Sequence, residues 1–267
     1  MDNAGLFVRF VPGEFKNLEI FKRFVLNWSR QVKKKKPLLV VFDEAVLGSR
    51  LVMRKETKRI IGEISRSLPD DVYVFFAIAE QHGKGKRDFS VTGYIVEPAR
   101  AGKARYKVYP KLMYATDSRG RPKFMESERK IAKRIAKTPE EMKKVLLKWM
   151  KRSALWERRA IKTKQAIFPE INIAGKKVRI AVCADLSRMM GLYGADIIVV
   201  PSKLLHIDEQ VLKEITEILR PGQHILISSA IRRKEGRKYV SPLKIFRSKE
   251  RGRRGIVPLR RRRIYRV

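Results

Sequence analysis

The sequence predicts a layered α/β fold. Short apolar runs of strand length alternate along the chain with stretches whose apolar residues recur at three- and four-residue steps. Hydrophobic residues make up 44% of the chain, the ordinary globular share, so a real core can be buried beneath an unusual surface charge. No repeat interrupts the alternation, and 267 residues suit one large domain or two small ones.

Leu6–Val11 reads as a strand closed by Pro12-Gly13. From Glu14 to Gln31, Phe15, Leu18, Phe21, Phe24, Val25 and Trp28 keep helical spacing, and the basic run Lys33–Lys36 with Pro37 ends that helix. Leu38–Phe42 is a buried strand by composition. A helix over Lys55–Ser67 and a strand over Val72–Ala79 follow, then extended stretches Phe89–Val96 and Arg105–Tyr109 joined by a turn at Pro98–Gly102.

Arg129–Lys164 then holds 14 Lys or Arg against three Glu, a density that sets it apart as a basic helical insertion at about residues 127–166. Thr138-Pro139-Glu140-Glu141 starts a helix there: a capping hydroxyl, a proline at the first position, and acids on the positive dipole end. Met142, Val145, Leu146, Trp149 and Met150 share one face, while Lys143, Lys144, Lys148, Lys151 and Arg152 fall mostly on the other. The β/α alternation resumes with strands at Val178–Val182, Ile197–Val200 and Ile225–Ser229 and a helix over Asp208–Leu219. The last 21 residues, Arg247–Val267, carry ten basic residues and one acid, yet keep strand-like apolar positions such as Ile256, Val257, Ile264 and Tyr265.

Composition removes several classes. One cysteine, Cys183, excludes a disulfide framework and any multi-cysteine zinc site. His82, His206 and His224 offer no helical pair of metal ligands. No apolar run is long enough to span a bilayer, and Met1-Asp2-Asn3-Ala4 lacks the basic start of a signal peptide. A cytoplasmic protein is therefore expected, without metal or cofactor.

Three polar residues end apolar runs: Glu44 after Leu38–Asp43, Lys111 after Tyr106–Pro110, and Cys183 after Val178–Val182. A carboxylate, an amine and a thiol are the parts of an acyl-transfer site: base, oxyanion stabiliser and nucleophile. Singly, each has a plainer reading, the Cys as packing and the charged pair as solvated ends.

In order and flanks, the set resembles the carbon–nitrogen hydrolase (nitrilase) superfamily. Val41-Phe42-Asp43-Glu44 stands for the family's V-F-P-E, Tyr109-Pro110-Lys111 for Y-R-K, and Cys183-Ala184-Asp185 for its Cys–aromatic–Asp. Gly194-Ala195-Asp196 running to Pro201-Ser202 matches the strand that comes next. The resemblance implies an α-β-β-α sandwich in a single domain with the basic insertion added. It also implies that Cys183 attacks a small amide or nitrile, Glu44 acts as base, and Lys111 with the Ala184 backbone N–H holds the oxyanion. A second family Glu that steadies the Lys falls on Glu126, or on Glu128. Asp43 replaces the family's Pro, and Leu186-Ser187-Arg188-Met189 replaces its Arg-Phe-Pro-Glu. The Cys183–Gly194 stretch is also short, so the homodimer carried over from the family is expected with an altered interface.

The net charge of +36 points to a polyanionic partner, nucleic acid before membrane. Candidate backbone contacts are Lys143, Lys144, Lys148, Lys151 and Arg152 of the insertion and Arg260, Arg261, Arg262 and Arg263 near the end. Arg119 and Arg121 lie in an R-G-R-P sequence that resembles an AT-hook but also reads as a solvated loop. Trp149 and Trp156 could stack bases, though their helical spacing fits packing better. Heat adaptation usually raises Glu along with Lys, so a thermophile's surface alone does not explain this charge. The competing expectation is a nucleoid, plasmid or virion-associated protein on a catalytically idle nitrilase scaffold.

Overall fold

The computed structural model describes residues 6–31, 37–48, 50–82, 89–111, 115–116, 122–123, 126–162, 168–183, 186, 194–202, 205–207, 209–234, 237–248, 253–259 and 264–267. In chain order the elements are β1 (Phe7–Val11), α1 (Leu18–Gln31), β2 (Leu38–Phe42), β3 (Leu51–Met53), α2 (Arg54–Ser67), β4 (Val72–Gln81), β5 (Phe89–Arg100) and β6 (Lys103–Pro110). Then come β7 (Ala115–Thr116), β8 (Pro122–Lys123), α3 (Glu126–Ile135), α4 (Pro139–Lys162), β9 (Glu170–Ile173), β10 (Lys176–Ile180) and β11 (Ile197–Val200). The chain ends with β12 (Leu205–His206), α5 (Glu209–Ile218), β13 (His224–Lys234), β14 (Arg237–Arg247), β15 (Arg254–Pro258) and β16 (Ile264–Arg266). The expected α/β class holds. No described helix is long and apolar enough to cross a membrane.

Two compact units make up the chain: Met1–Gly13, Lys33–Glu44 and Phe168–Val267 in the first, Glu14–Val32 and Ala45–Ile167 in the second. In the first unit β1 pairs parallel with β2 and antiparallel with β16. A separate run of strands has the order β15-β14-β13-β11-β10-β9, with β12 alongside β13. Its centre, β10-β11-β13, is parallel, and its flanks are antiparallel hairpins. Leu38–Phe42 and Ile197–Val200 are buried throughout, as parallel strands covered on both faces require. The described parts of the Arg-rich end pair into strands. β15 completes one edge on β14 and β16 another on β1, with Val267 N–H donating to Leu6 C=O at 2.8 Å.

The second unit is built on the antiparallel strands β4-β5-β6, with β3 parallel to β4. Helix α1 starts at Leu18 rather than Glu14, because the Asn17 side chain accepts from Ile20 N–H at 2.9 Å and caps it there. Phe21 of α1 meets Phe76 of β4 edge-on, at a centroid distance of 4.8 Å. The turn expected at Pro98–Gly102 is shorter: Ala101 and Gly102, both at positive φ, form a two-residue hairpin. Pro98 instead occupies a bulge in β5, where its missing N–H costs no ladder bond.

The basic segment that follows β8 folds, over its described residues, into the helices α3 and α4. Glu141 N–H donates to Thr138 Oγ1 at 3.2 Å and the Glu141 carboxylate accepts from Lys137 N–H at 2.7 Å, a reciprocal cap on α4. Ile131 and Ala132 of α3 and Val145, Leu146 and Trp149 of α4 close a core with Ala79 and Phe89. Trp149 stacks on Phe89 at 6.3 Å, so it is a packing residue, as its spacing suggested.

Candidate active site

Cys183 lies three residues beyond β10, whose ladder to β11 continues past the last regular pair. Ala181 N–H donates to Val199 C=O at 3.0 Å and Cys183 N–H to Pro201 C=O at 2.9 Å. The cysteine is buried at 1% exposure and has φ +51°, a left-handed conformation that a residue with a Cβ adopts at a cost of about 1–3 kcal/mol. Such strain is kept where neighbouring structure over-determines it, and here the strand below and Pro201 do so. The next motif supplies that support. Gly194 turns the chain at φ +91°, Asp196 accepts from Lys177 N–H at 2.9 Å, and Ser202 is tied to β13. Ser202 N–H donates to Ser228 Oγ at 2.9 Å, Ser228 Oγ donates to Ser202 C=O at 3.0 Å, and Ser202 Oγ donates to Ser229 C=O.

Ser228 and Ser229 can reach Ser202 because β13 bulges between Ile227 and Ala230, which re-aims both residues. Sequence reasoning missed this support. Its signal is the small polar pair Ser228-Ser229 ending an apolar run, opposite Pro242 on the next strand.

Glu44 stands two residues beyond β2, in the same unit as Cys183, and is 3% exposed. The residue after it, Ala45, is also left-handed, with φ +59°. Lys111 follows β6 in the other unit. Its N–H donates to Val91 C=O at 2.7 Å, and its side chain is fully buried. That register puts Lys111 on the face of Ala79 and Val91, opposite the one bearing Glu80, Ser90, Thr92 and Tyr94. Carboxylate and ammonium groups are rarely buried so completely without compensation. Glu44, Lys111 and Cys183 all have interaction partners.

Glu126 is the first residue of α3. The backbone of Ala184, the AT-hook-like Arg119 and Arg121, and Arg260, Arg261, Arg262 and Arg263 lie outside the described residues. Lys143, Lys144, Lys148 and Lys151 are exposed along α4, which also contains Arg152. Among the described residues no group of His, Cys, Asp or Glu is placed to hold a metal ion.

A second buried carboxyl was not anticipated. Glu80 on β4 is fully buried, and its Oε1 accepts from the Tyr94 hydroxyl at 2.6 Å. Burial pushes the Glu80 carboxyl above the usual carboxylate range, a shift only partly offset by the Tyr94, Thr57 and Thr92 hydroxyls. Burial and the adjacent Glu80 raise the Tyr94 phenol as well.

By sequence, no family model matches the chain, and no curated protein matches it either. Solved structures do match. A mutant of the amidase from Nesterenkonia sp. AN1, with the acetamide moiety of fluoroacetamide added at its active-site cysteine, is 12% identical. That match covers 99% of this chain and 90% of that one, with a TM-score of 0.50. The glutamine-dependent NAD+ synthetase from Acinetobacter baumannii, in complex with adenosine diphosphate, is 11% identical. There 97% of this chain matches 44% of that chain, with a TM-score of 0.53, so this chain spans less than half of the synthetase. With two sheets, five described helices and these neighbours, the chain has the carbon–nitrogen hydrolase fold, that of the nitrilase-like amidases.

Proposed function

We propose that this protein hydrolyses a small, linear, non-peptide amide, with Cys183 as nucleophile. The observation that carries the reading is the setting of Cys183: buried, left-handed, and held at the C-terminal end of a parallel strand by the Pro201–Ser202 platform. Glu44 takes the Sγ proton and the thiolate adds to the amide carbon. Lys111 and the Ala184 N–H stabilise the oxyanion. Collapse breaks the C–N bond, the proton held by Glu44 goes to the leaving amine, and a thioester remains. Glu44 then takes a proton from water, which attacks the thioester and frees the acid and the thiol. Glu126 serves to position Lys111. The covalent acetamide adduct on the Nesterenkonia amidase supports carrying this chemistry to Cys183.

The test is ammonia release from short aliphatic amides together with iodoacetamide labelling. Turnover by the wild type, lost in Cys183→Ala and Glu44→Gln, is the expected result. Labelling of Cys183 no faster than an ordinary peptide thiol at neutral pH would sink the activated-nucleophile reading.

A second reading is favoured by the exposed cations of α4, Lys143, Lys144, Lys148 and Lys151, followed by the exposed Arg158, Arg159 and Lys162. On this reading the surface docks nucleic acid through its phosphates, whether the scaffold is active or idle. Affinity for random duplex DNA then falls steeply with salt. Binding that ignores salt, or no binding, rules it out.

A further inference from the structure

Away from Cys183, at the N-terminal ends of the parallel strands β10 and β13, nitrogen-bearing side chains gather on one face of the sheet. Val178 pairs with Ile197, Ile197 with His224 and His224 with Phe246, which places these four residues on a common face. Lys176 and Lys244 lie two residues from Val178 and Phe246 along their strands, so they fall on that face as well. His224 stacks on the Phe246 ring at a centroid distance of 6.4 Å, and Lys244 Nζ lies 5.6 Å from the centroid of the same ring. Lys176, His224 and Lys244 are each only partly exposed. Lys244 and Lys176 are the charges that act on the imidazole, and both are cations. The acids of the neighbouring strand ends are committed elsewhere. Glu170 pairs with Arg179 at 2.8 Å, and the Asp196 carboxylate accepts from Lys177 N–H at 2.9 Å. The buried His224 Nδ1 has no hydrogen-bond partner among the described residues.

We propose that Lys176, His224 and Lys244 form a binding site for a phosphate group. Like charges gathered on a half-buried face repel one another and lose hydration, and burial draws the Lys244 ammonium below its usual pKa. A dianion seated among them reverses both effects and supplies acceptors to the two ammonium groups and to a protonated imidazole. Two lysines suit phosphate, which takes point charges from several directions, better than a carboxylate, whose planar oxygen pair matches an arginine fork. A buried polar atom without a partner is uncommon in a folded protein, and it sets His224 apart from the many exposed cations of the surface. Cys183 closes the same strand run about 20 Å from Lys176, at roughly 3.3 Å per residue, so the site is separate from the proposed amidase centre and does not rest on it. A free phosphate and a backbone phosphate of nucleic acid share this chemistry, and competition between them separates the two sources.

The experiment titrates the full chain, carrying isotope-labelled histidine, with inorganic phosphate and follows the His224 ring by NMR. Its signals are assigned by their loss in His224→Gln. Phosphate is expected to shift them saturably and to raise the pKa of His224, whereas sodium chloride at matched ionic strength does neither. Lys176→Gln/Lys244→Gln is expected to weaken phosphate binding by about tenfold or more, the loss of at least one charge-assisted contact. Lys143→Gln/Lys144→Gln, which removes the same charge from α4, leaves binding unchanged, and Lys176→Arg/Lys244→Arg retains it. Urea midpoints check that each variant is folded. No saturable shift in the wild type, the same shift with chloride, or an equal loss in the α4 variant overturns the site. With the site standing, a DNA duplex that displaces phosphate and shifts the same signals identifies a nucleic-acid backbone as the source. A duplex that leaves those signals untouched identifies a free phosphate.

Discussion

The backbone N–H of Cys183 donates to the carbonyl of Pro201 at 2.9 Å, across the parallel pair β10–β11. This bond ties the one thiol of the chain to the strand that carries the Gly194-Ala195-Asp196 motif. The distant Pro201-Ser202 pair thereby acts as a support. Pro201 accepts from the cysteine backbone, while Ser202 anchors that acceptor to the β13 bulge.

Ser228→Ala is expected to cost about 1–3 kcal/mol, because it strips partners from the buried N–H and C=O of Ser202 together. Urea denaturation measures it, with Ser228→Thr, which keeps a hydroxyl, as the comparison. A fully neutral Ser228→Ala would mean that the platform does not hold the strand end.

Glu80 has the pH signature of a carboxyl that folding keeps protonated. Its folded pKa lies above the unfolded value, so the native state holds more protons and stability declines as pH rises from the unfolded pKa through the folded one. Glu80→Gln is expected to flatten that decline and to be the more stable protein at the alkaline end. Urea midpoints between acid and mildly alkaline pH check this, and parallel curves for the two proteins would refute it.

His224 tilts stability the other way. Burial, with the Lys244 and Lys176 charges, lowers its pKa to about 4, so the unfolded state binds the extra proton first. Stability is expected to fall as pH drops below about 6.5, levelling near 4, and His224→Gln removes that component. An unchanged acid limb in the variant would show that His224 is not its source.

Trp149→Ala is expected to destabilise the second unit by about 3–5 kcal/mol, since the ring is 1% exposed and stacks on Phe89. Trp149→Phe, better matched in volume, should recover much of that stability in urea denaturation. A Trp149→Ala protein with an unchanged urea midpoint would show that the ring does not hold this core together.

Local pattern was enough for most elements. The apolar run Leu38–Phe42, the spacing of Val145, Leu146 and Trp149, and the Thr138–Glu141 cap are short-range features that already dictate strand, helix face and helix start. Features that depend on a partner far along the chain were not legible. The β13 bulge that turns Ser228 and Ser229 toward Ser202 is set by pairing with β14, and the burial of Glu80 by the strands and helix packed around it. Pro98 looked like a turn and is a bulge for the same reason: a proline marks a break in pairing without saying which kind.

By itself, the sequence determined the α/β class, the order of Glu44, Lys111 and Cys183 at strand ends, and the size of the cationic excess. All three are written in composition and nearest-neighbour spacing. Tertiary structure alone decided that Cys183 is left-handed above a serine-tied platform, and that β15 pairs with β14 and β16 with β1. These depend on which distant strands pair and where the pairing stops. That outcome is settled by the burial and hydrogen bonding of the whole chain rather than by any local stretch of it.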